Sequence, residues 1–544
     1  MSKKMKKNEF AESTFISYIA IVASKVLGIL YNIPFYSLIG DQGGFIYSLA
    51  YQIYALFLDI STSGIPTAIS IVVGHYNSLK QYLNKEKAYK IGTKVILVVS
   101  VVSFVFMQAG AELIARFYLS SMKEGASIHD VAMAIRSVSF CVLIVPFLSI
   151  RRGYLQGHHF FELSSKSQVI EQFVRIIFAL VGAYILIRVL HTRVQAGVYI
   201  ALFGAFVGAL LAFIYVDINI RRNKDSFPKG EKDEKTDETL KIVKKIAGYC
   251  ATITLVSIAS SVYNIVDTKL MLEGLRNVGY SDLVNQEISS LISSWVPKMT
   301  EAMGALAIAM TSSIAPHISD SYANRDIDGV SAKINKGISI LILICIPLTV
   351  GIYVFAEPYF RLFYDFNRYG APLLRINVLF NLVSCFTMVL SMALQSLDRG
   401  KKVIFIVLLS IILNTAMDLP LIYLFDRIGL PAYLGCGASS IIAEVFKIIF
   451  LLRFISHDVH ISYRNSLKVL IKTILPLLAM TVTIVILKMI WPPVDSRVLL
   501  LFQLMIYALA GVIVYGLLGL KNGVIQEVLG SEKLDALLHK LKLG

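Results

Sequence analysis

Two lysines interrupt apolar stretches where a charge is expensive. Lys25 sits in SKVLGILYN with no acidic residue within a helical turn, and Lys298 sits in SWVPKMTEAMGALAIAM with Glu301 three residues on. Ionisable side chains in the middle of such runs face a water-filled cavity or a partner by default. Two such cations suit an anionic ligand held in a cleft, with Asp59 as the nearest counter-charge. A local salt bridge to Glu301 is the alternative for Lys298. Arg175 is a third cation of this kind, able to pair with Glu171 four residues earlier or to join the ligand set. Glu444 and Lys447 can pair on their own helix. Arg136 is fairly shallow, and Arg375, Lys472 and Lys488 lie near run ends and reach the surface by snorkelling.

A second group is rich in oxygen. Asn414 and Asp418 are four residues apart, hence on one helical face. Asp267 lies at a corresponding depth in another run, and Ser439 and Ser440 in a third. Two carboxylates, an amide oxygen and a hydroxyl form a hard-oxygen set that suits a small cation such as sodium. Near-midplane ion sites of this sort couple secondary transport. A polar clamp between helices is the other reading.

The motifs of covalent chemistry are missing. No GxxxxGK[ST] loop is present, so ATP hydrolysis through a P-loop is excluded. Nothing resembles a catalytic triad or an HExxH helix, and the adjacent His158 and His159 point to different helix faces. Cys141, Cys250, Cys345, Cys385 and Cys436 form no CxxC pair and read as small apolar fillers. No cofactor is expected beyond a coupling ion.

The elements that position these residues follow from composition. The 544 residues are 56% hydrophobic and only 16% charged, with mean hydropathy +0.69, against about 25% charged in soluble domains. A bilayer core about 30 Å thick needs roughly 20 apolar residues of helix, and a helix satisfies its own backbone in lipid. About fourteen spans are expected, near 13–38, 44–75, 92–111, 131–150, 163–187, 196–218, 246–270, 287–317, 337–356, 371–395, 403–425, 430–452, 469–490 and 497–519. Basic residues 1–8 precede a stretch of full span length without a cleavage site, which reads as a first membrane helix. Loops on the N-terminal side carry several times more Lys and Arg than loops on the other side. The net charge of +16 therefore reports topology, with both ends in the cytoplasm of a bacterial cell membrane, and nucleic acid is excluded as a partner.

The fold class is an all-α integral membrane protein with two pseudo-symmetric six-helix lobes plus two extra helices. The polar stretch 221–245 separates a lobe at 1–220 from a lobe at 246–456. Residues 457–519 carry the extra pair, and 520–544 form an amphipathic cytoplasmic tail with Ser531 as N-cap. The hinges share Leu155–Gln156 and Leu394–Gln395 ahead of basic turns, and the first and seventh spans share Tyr31–Asn32 and Tyr263–Asn264. Gly64 and Pro66 break the second span in LDISTSGIPTAIS, with nearby Ser and Thr free to satisfy the released backbone. Pro316 in TSSIAPHIS marks a related feature in the eighth.

SKVLG, STSGIPTAISIVVGHYNSLKQ, the Leu-Gln hinges and the 6+6+2 layout resemble the MOP (multidrug/oligosaccharidyl-lipid/polysaccharide) exporters, and within them the Gram-positive SpoVB/MurJ branch of lipid II flippases. The resemblance covers essentially the whole chain. It implies that Lys25 and Lys298, in place of family arginines, bind a lipid pyrophosphate, and that Asp267, Asn414, Asp418 and a span-twelve hydroxyl hold sodium. Lysine lacks the bidentate fork of arginine for phosphate, and Tyr31 and Asp59 stand where Gram-negative members carry further basic residues. The implied activity moves an undecaprenyl-pyrophosphate-linked peptidoglycan precursor, or another polyprenyl-linked sugar, from the inner to the outer leaflet. Rival readings are a MATE-type drug/cation antiporter and a scaffold that recruits cell-wall synthesis proteins.

Overall fold

The computed structural model describes residues 28, 31–120, 122–158, 160–223, 237–364, 366–459 and 461–530. Lys25, His159 and the tail around Ser531 lie outside the described residues. Among the described residues every regular element is helical, and ten helices are long and apolar enough to cross a membrane. The chain divides into two compact units, Met1–Trp295 and Val296–Gly544.

The first unit contains α1 (Asn32–Thr62), α2 (Ile65–Ser78), α3 (Tyr82–Leu119), α4 (Ile128–Gly157), α5 (Phe161–Tyr184), α6 (Val194–Arg222), α7 (Thr239–Asn277) and α8 (Asp282–Ser290). The first expected span ends at a break inside α1, where Gly40 takes φ 59° and ψ −165°, a conformation only glycine adopts without strain. The second expected span then runs to Thr62 and resumes at Ile65, with proline in the first turn of α2. Proline is tolerated there because its missing N–H would be unpaired in any case. Hydroxyls of the last turn bond back to carbonyls one turn earlier. Thr62 Oγ1 donates to Leu58 O at 2.8 Å and Ser63 Oγ to Asp59 O at 2.9 Å, and Ser61 donates to Phe57 O.

Small residues decide how α5 and α6 meet. Ala201, Ala205, Ala209 and Ala212 are buried with Gly197, Gly204 and Gly208 along α6, the kind of stripe that lets membrane helices approach closely. A methyl group at Gly208 would lie 2.5 Å from the Glu171 carbonyl oxygen and 3.1 Å from Arg175 Cβ. The glycine therefore sets the depth at which Arg175 sits against its neighbours.

The polar stretch 221–245 is partly helical: α6 runs on to Arg222 and α7 begins at Thr239. Asp237 ties the start of α7 down. It accepts from Tyr76 Oη at 2.9 Å and from Lys241 Nζ at 2.7 Å, and its backbone N–H donates to Asn84 Oδ1 at 2.6 Å. Burial and the Asp237 carboxylate push the Tyr76 hydroxyl up to about 12.

The second unit contains α9 (Val296–Ala323), α10 (Ile327–Val354), α11 (Ala356–Phe363), α12 (Gly370–Ser396), α13 (Gly400–Arg427), α14 (Leu434–Val459), α15 (Arg464–Ile490), α16 (Arg497–Lys521) and α17 (Val524–Leu529). Its core packs Met303 and Ala307 of α9 against Leu341 and Cys345 of α10 and Val378, Cys385 and Val389 of α12. All five cysteines are free thiols. The expected break at Pro316 is absent, since α9 passes through that position as regular helix. The irregularity falls earlier, in a π turn at Leu291–Trp295 just ahead of Pro297. Proline's ring clashes with the carbonyl four residues before it, and a widened turn relieves that clash.

Three further helices, α7, α9 and α14, have 39, 28 and 26 residues. They interrupt their apolar runs with ionisable residues: Asp267 and Lys269, Lys298 and Glu301, Glu444 and Lys447.

Candidate functional site

The strongest binding geometry in the first unit surrounds Arg175 on α5. Its expected partner does not take it up. Glu171 instead binds Arg152 of α4, with Oε2 2.8 Å from Nη2, and Arg152 Nε also donates to Ser167 Oγ at 2.7 Å. Of the two readings open for Arg175, the own-helix pair with Glu171 does not form, because Arg152 near the end of α4 takes up Glu171 with Ser167 as a second acceptor beside it. Arg175 turns the other way, toward α1. Its Nη2 donates to Tyr47 Oη at 2.9 Å, and its guanidinium lies 5.6 Å from the centroid of the Tyr51 ring. The rings of Tyr47 and Tyr51 are stacked with centroids 5.8 Å apart and an interplanar angle of 13°. Tyr31, Tyr47, Tyr51 and Arg175 are all half-buried. A guanidinium in the middle of a span faces a partner or a water-filled cavity by default rather than hydrocarbon.

The sequence held a signal for these tyrosines. Tyr47, Tyr51 and Tyr54 recur at positions four and three apart in YSLAYQIYALF, which puts them on one face of α1.

Asp59 lies one turn before the break after α1 and accepts from Ser261 Oγ of α7 at 2.5 Å. Further along the same two helices, Gln52 exchanges hydrogen bonds with Thr268 Oγ1 at 3.1 and 3.2 Å. Lys25, for which Asp59 is the expected counter-charge, lies outside the described residues. Asp267 is half-buried on α7, next to Thr268 in sequence.

In the second unit, Lys298 Nζ is 3.7 Å from Glu301 Oε2, and both side chains keep solvent access, 41% and 28%. Beside them in sequence, the buried Thr300 donates to Asn377 Oδ1 at 2.7 Å and accepts from Asn381 Nδ2 at 2.8 Å. Asn377 and Asn381 were not anticipated; asparagines one turn apart on α12 are the signal for them. Met299, Thr300 and Met303 of α9 also form one wall of an apolar groove of about 590 Å³. Its other walls come from α10, α11, α15 and α16, including Pro347, Tyr359, Met480, Leu504 and Tyr515.

The oxygen set divides between the units. Asn414, Asp418 and Ser439 converge in the second. Asn414 Nδ2 donates to both Asp418 oxygens, at 3.1 and 3.2 Å, and Ser439 Oγ donates to Asp418 Oδ1. All three are fully buried. Ser440 bonds back to Cys436 O of its own helix at 3.0 Å. Asp267 belongs to the first unit. Among the described residues no group of three or more His, Cys, Asp and Glu side chains is placed to hold a metal.

Local pairing accounts for other cations. Lys447 pairs with Glu444, Arg136 with Glu112 at 3.1 Å, and Lys472 with Glu527 of α17 at 2.6 Å.

The family model for polysaccharide biosynthesis proteins matches residues 10–296, more than half of the 544-residue chain. The chain belongs to that family. A second family model, MatE, matches residues 294–419. The lipid II flippase MurJ of Bacillus subtilis (strain 168) is 27% identical over 533 residues, 96% of this chain and 97% of that protein. Stage V sporulation protein B of the same organism is 24% identical over 221 residues, 40% of each chain. Among solved structures, lipid II flippase MurJ in an inward closed conformation aligns with TM-score 0.65 at 14% identity, covering 94% of this chain and 99% of that one. A multidrug resistance MATE family transporter of the MOP superfamily, inward-facing, aligns with TM-score 0.64 at 14% identity, covering 81% and 98%. This member of the polysaccharide biosynthesis family is a multi-pass membrane protein with the fold shared by those MurJ and MATE structures.

Proposed function

We infer that the protein is a flippase for a polyprenyl-pyrophosphate-linked glycan precursor, of the lipid II type, moving it from the inner to the outer leaflet with both chain ends in the cytoplasm. One observation carries this reading. α9 presents a solvent-accessible cation, Lys298 paired with Glu301, beside residues that wall an apolar groove of about 590 Å³. A ligand with an anionic head and a long apolar tail needs both. The pyrophosphate would bind Lys298, and the tail would lie along α15 and α16. The similarity to a lipid II flippase over 96% of the chain supports the same substrate class. Alternating access would arise from rocking of two repeats around the site.

A drug/cation antiporter shares the superfamily. It calls for an acidic cavity, whereas the midspan charges not taken up by local pairs include Arg175 of α5. Coupling would come from a cation on Asp418, Asn414 and Ser439, or from the membrane potential. Asp418→Asn should abolish sodium-dependent thermal stabilisation of the purified protein, and an unchanged response would reduce the set to a clamp. Depletion in cells tests the function. The lipid-linked precursor should accumulate on the cytoplasmic leaflet, and an unchanged leaflet distribution would contradict the assignment.

A further inference from the structure

We propose that Tyr47 and Tyr51 of α1, with Arg175 of α5, form a saccharide-binding subsite for the head group of the transported lipid. The inference rests on the flippase reading and adds what reads the sugar.

Three observations meet here. The first is chemical demand. Among the described residues no carboxylate lies within ion-pair distance of Arg175, and its one hydrogen bond goes to Tyr47 Oη at 2.9 Å. A guanidinium carries five donors in a planar fork, so four N–H groups have no hydrogen-bond partner among the described residues, at a depth where an uncompensated cation is costly. The pair from Glu171 to Arg152 at 2.8 Å keeps the nearest acid on its own helix occupied.

The second is shape. Tyr47 and Tyr51 stack 5.8 Å apart at 13° and both stay half-buried, so the pair offers aromatic edges and polar hydroxyls spaced one helical turn apart. A pyranose ring is itself two-faced, with C–H groups on its faces and hydroxyls on its rim. The ring would lie on the tyrosines, and its rim oxygens or an acidic substituent would accept from Arg175. The combination of an aromatic body and a polar tip is what lets tyrosine serve such mixed surfaces.

The third is rigidity. Arg175 is held by the close approach of α6 at Gly208, and Tyr47 by Phe35 packing edge-on at 5.4 Å. A subsite built on packed helices loses little entropy when a ligand docks.

The test is the ratio of two affinities, measured by native mass spectrometry on the purified full chain. The probes are polyprenyl pyrophosphate and the same lipid carrying a disaccharide. The wild-type protein should favour the disaccharide lipid by about 10-fold, which corresponds to roughly 1.4 kcal/mol. Tyr51→Leu should bring the ratio near 1, whereas Tyr47→Phe, which keeps the ring, should retain most of it. Should Tyr51→Leu fail to fold, Tyr51→Met fills the same space without an aromatic face and should show the same loss. A wild-type ratio near 1, or a ratio unmoved in Tyr51→Leu or Tyr51→Met, would overturn the subsite while leaving the flippase reading intact. Binding of neither lipid by the wild type would overturn both.

Discussion

Arg175 in the first unit and Lys447 in the second begin from the same sequence logic. Each is a cation within an expected span, and each has a glutamate one turn earlier, Glu171 four residues before and Glu444 three. In α14 the pair closes, with Lys447 and Glu444 in contact and only 17% and 10% exposed. In α5 it does not, because Arg152 reaches Glu171 from α4 and Arg175 is left to a tyrosine hydroxyl and an aromatic face. Spacing on one helix makes a pair feasible; a competitor on the next helix decides whether it forms. The cation that loses its local acid is the one available to a ligand.

The largest expected effect is on the closed pair. Lys447→Ala strands Glu444 in a nearly buried place and should lower stability by about 3–5 kcal/mol, read as thermal unfolding in detergent. Glu444→Ala added to it should restore most of the loss. A mild effect in the single variant would remove the contrast with Arg175.

Arg175→Ala should behave in the opposite way. Removing a cation with no acidic partner among the described residues relieves a desolvation cost, so the melting temperature should hold or rise slightly while the variant fails to support growth. Arg152→Gln sharpens the comparison, since it frees Glu171 to turn toward Arg175 and neutralise it. Growth should then fall, and Glu171→Gln in the same chain should recover part of it.

Much of this was legible in the sequence. Hydropathy blocks of span length, the end of the first span near Gly40 and the break at Gly64 all follow from local rules of helix geometry and backbone freedom. The choice between Glu171 and a ligand for Arg175 stayed open because one-dimensional spacing offers only own-helix partners, and the approach of Arg152 depends on how α4 and α5 pack. The tyrosines were passed over because aromatic residues in an apolar run read first as core. Pro316 was taken as a break and Pro297 was not, although a proline near a helix start disturbs the turn ahead of it. The relation of Lys25 to Asp59 lies outside the described residues.

Lys298 is intermediate between the two cases, with a pair that stays accessible to water. Lys298→Ala should change stability by less than about 1 kcal/mol yet abolish growth. Full recovery of growth by Lys298→Ala with Glu301→Ala would show that the pair serves the fold alone.

The smallest effect lies outside the membrane. Asp458 receives Lys402 at 2.8 Å and Arg399 at 3.1 Å. Burial works against its charge, but hydrogen bonds from Lys402 and His457 and the charges of Lys402 and Arg399 prevail and hold its carboxyl below the usual range. A depressed carboxylate stabilises the fold above the unfolded value of about 3.9 and loses that contribution as pH falls through the folded value. Asp458→Asn should therefore melt earlier than wild type at neutral pH, and the two should converge below about pH 4.

The central claim, that this transporter carries an anionic lipid rather than a soluble cation, is tested most directly with the purified protein in sealed vesicles. A polyprenyl pyrophosphate carrying a disaccharide should cross from one leaflet to the other several-fold faster than in protein-free vesicles, and Arg175→Ala should remove the acceleration. Uptake of a cationic dye with no acceleration of the lipid would contradict the account.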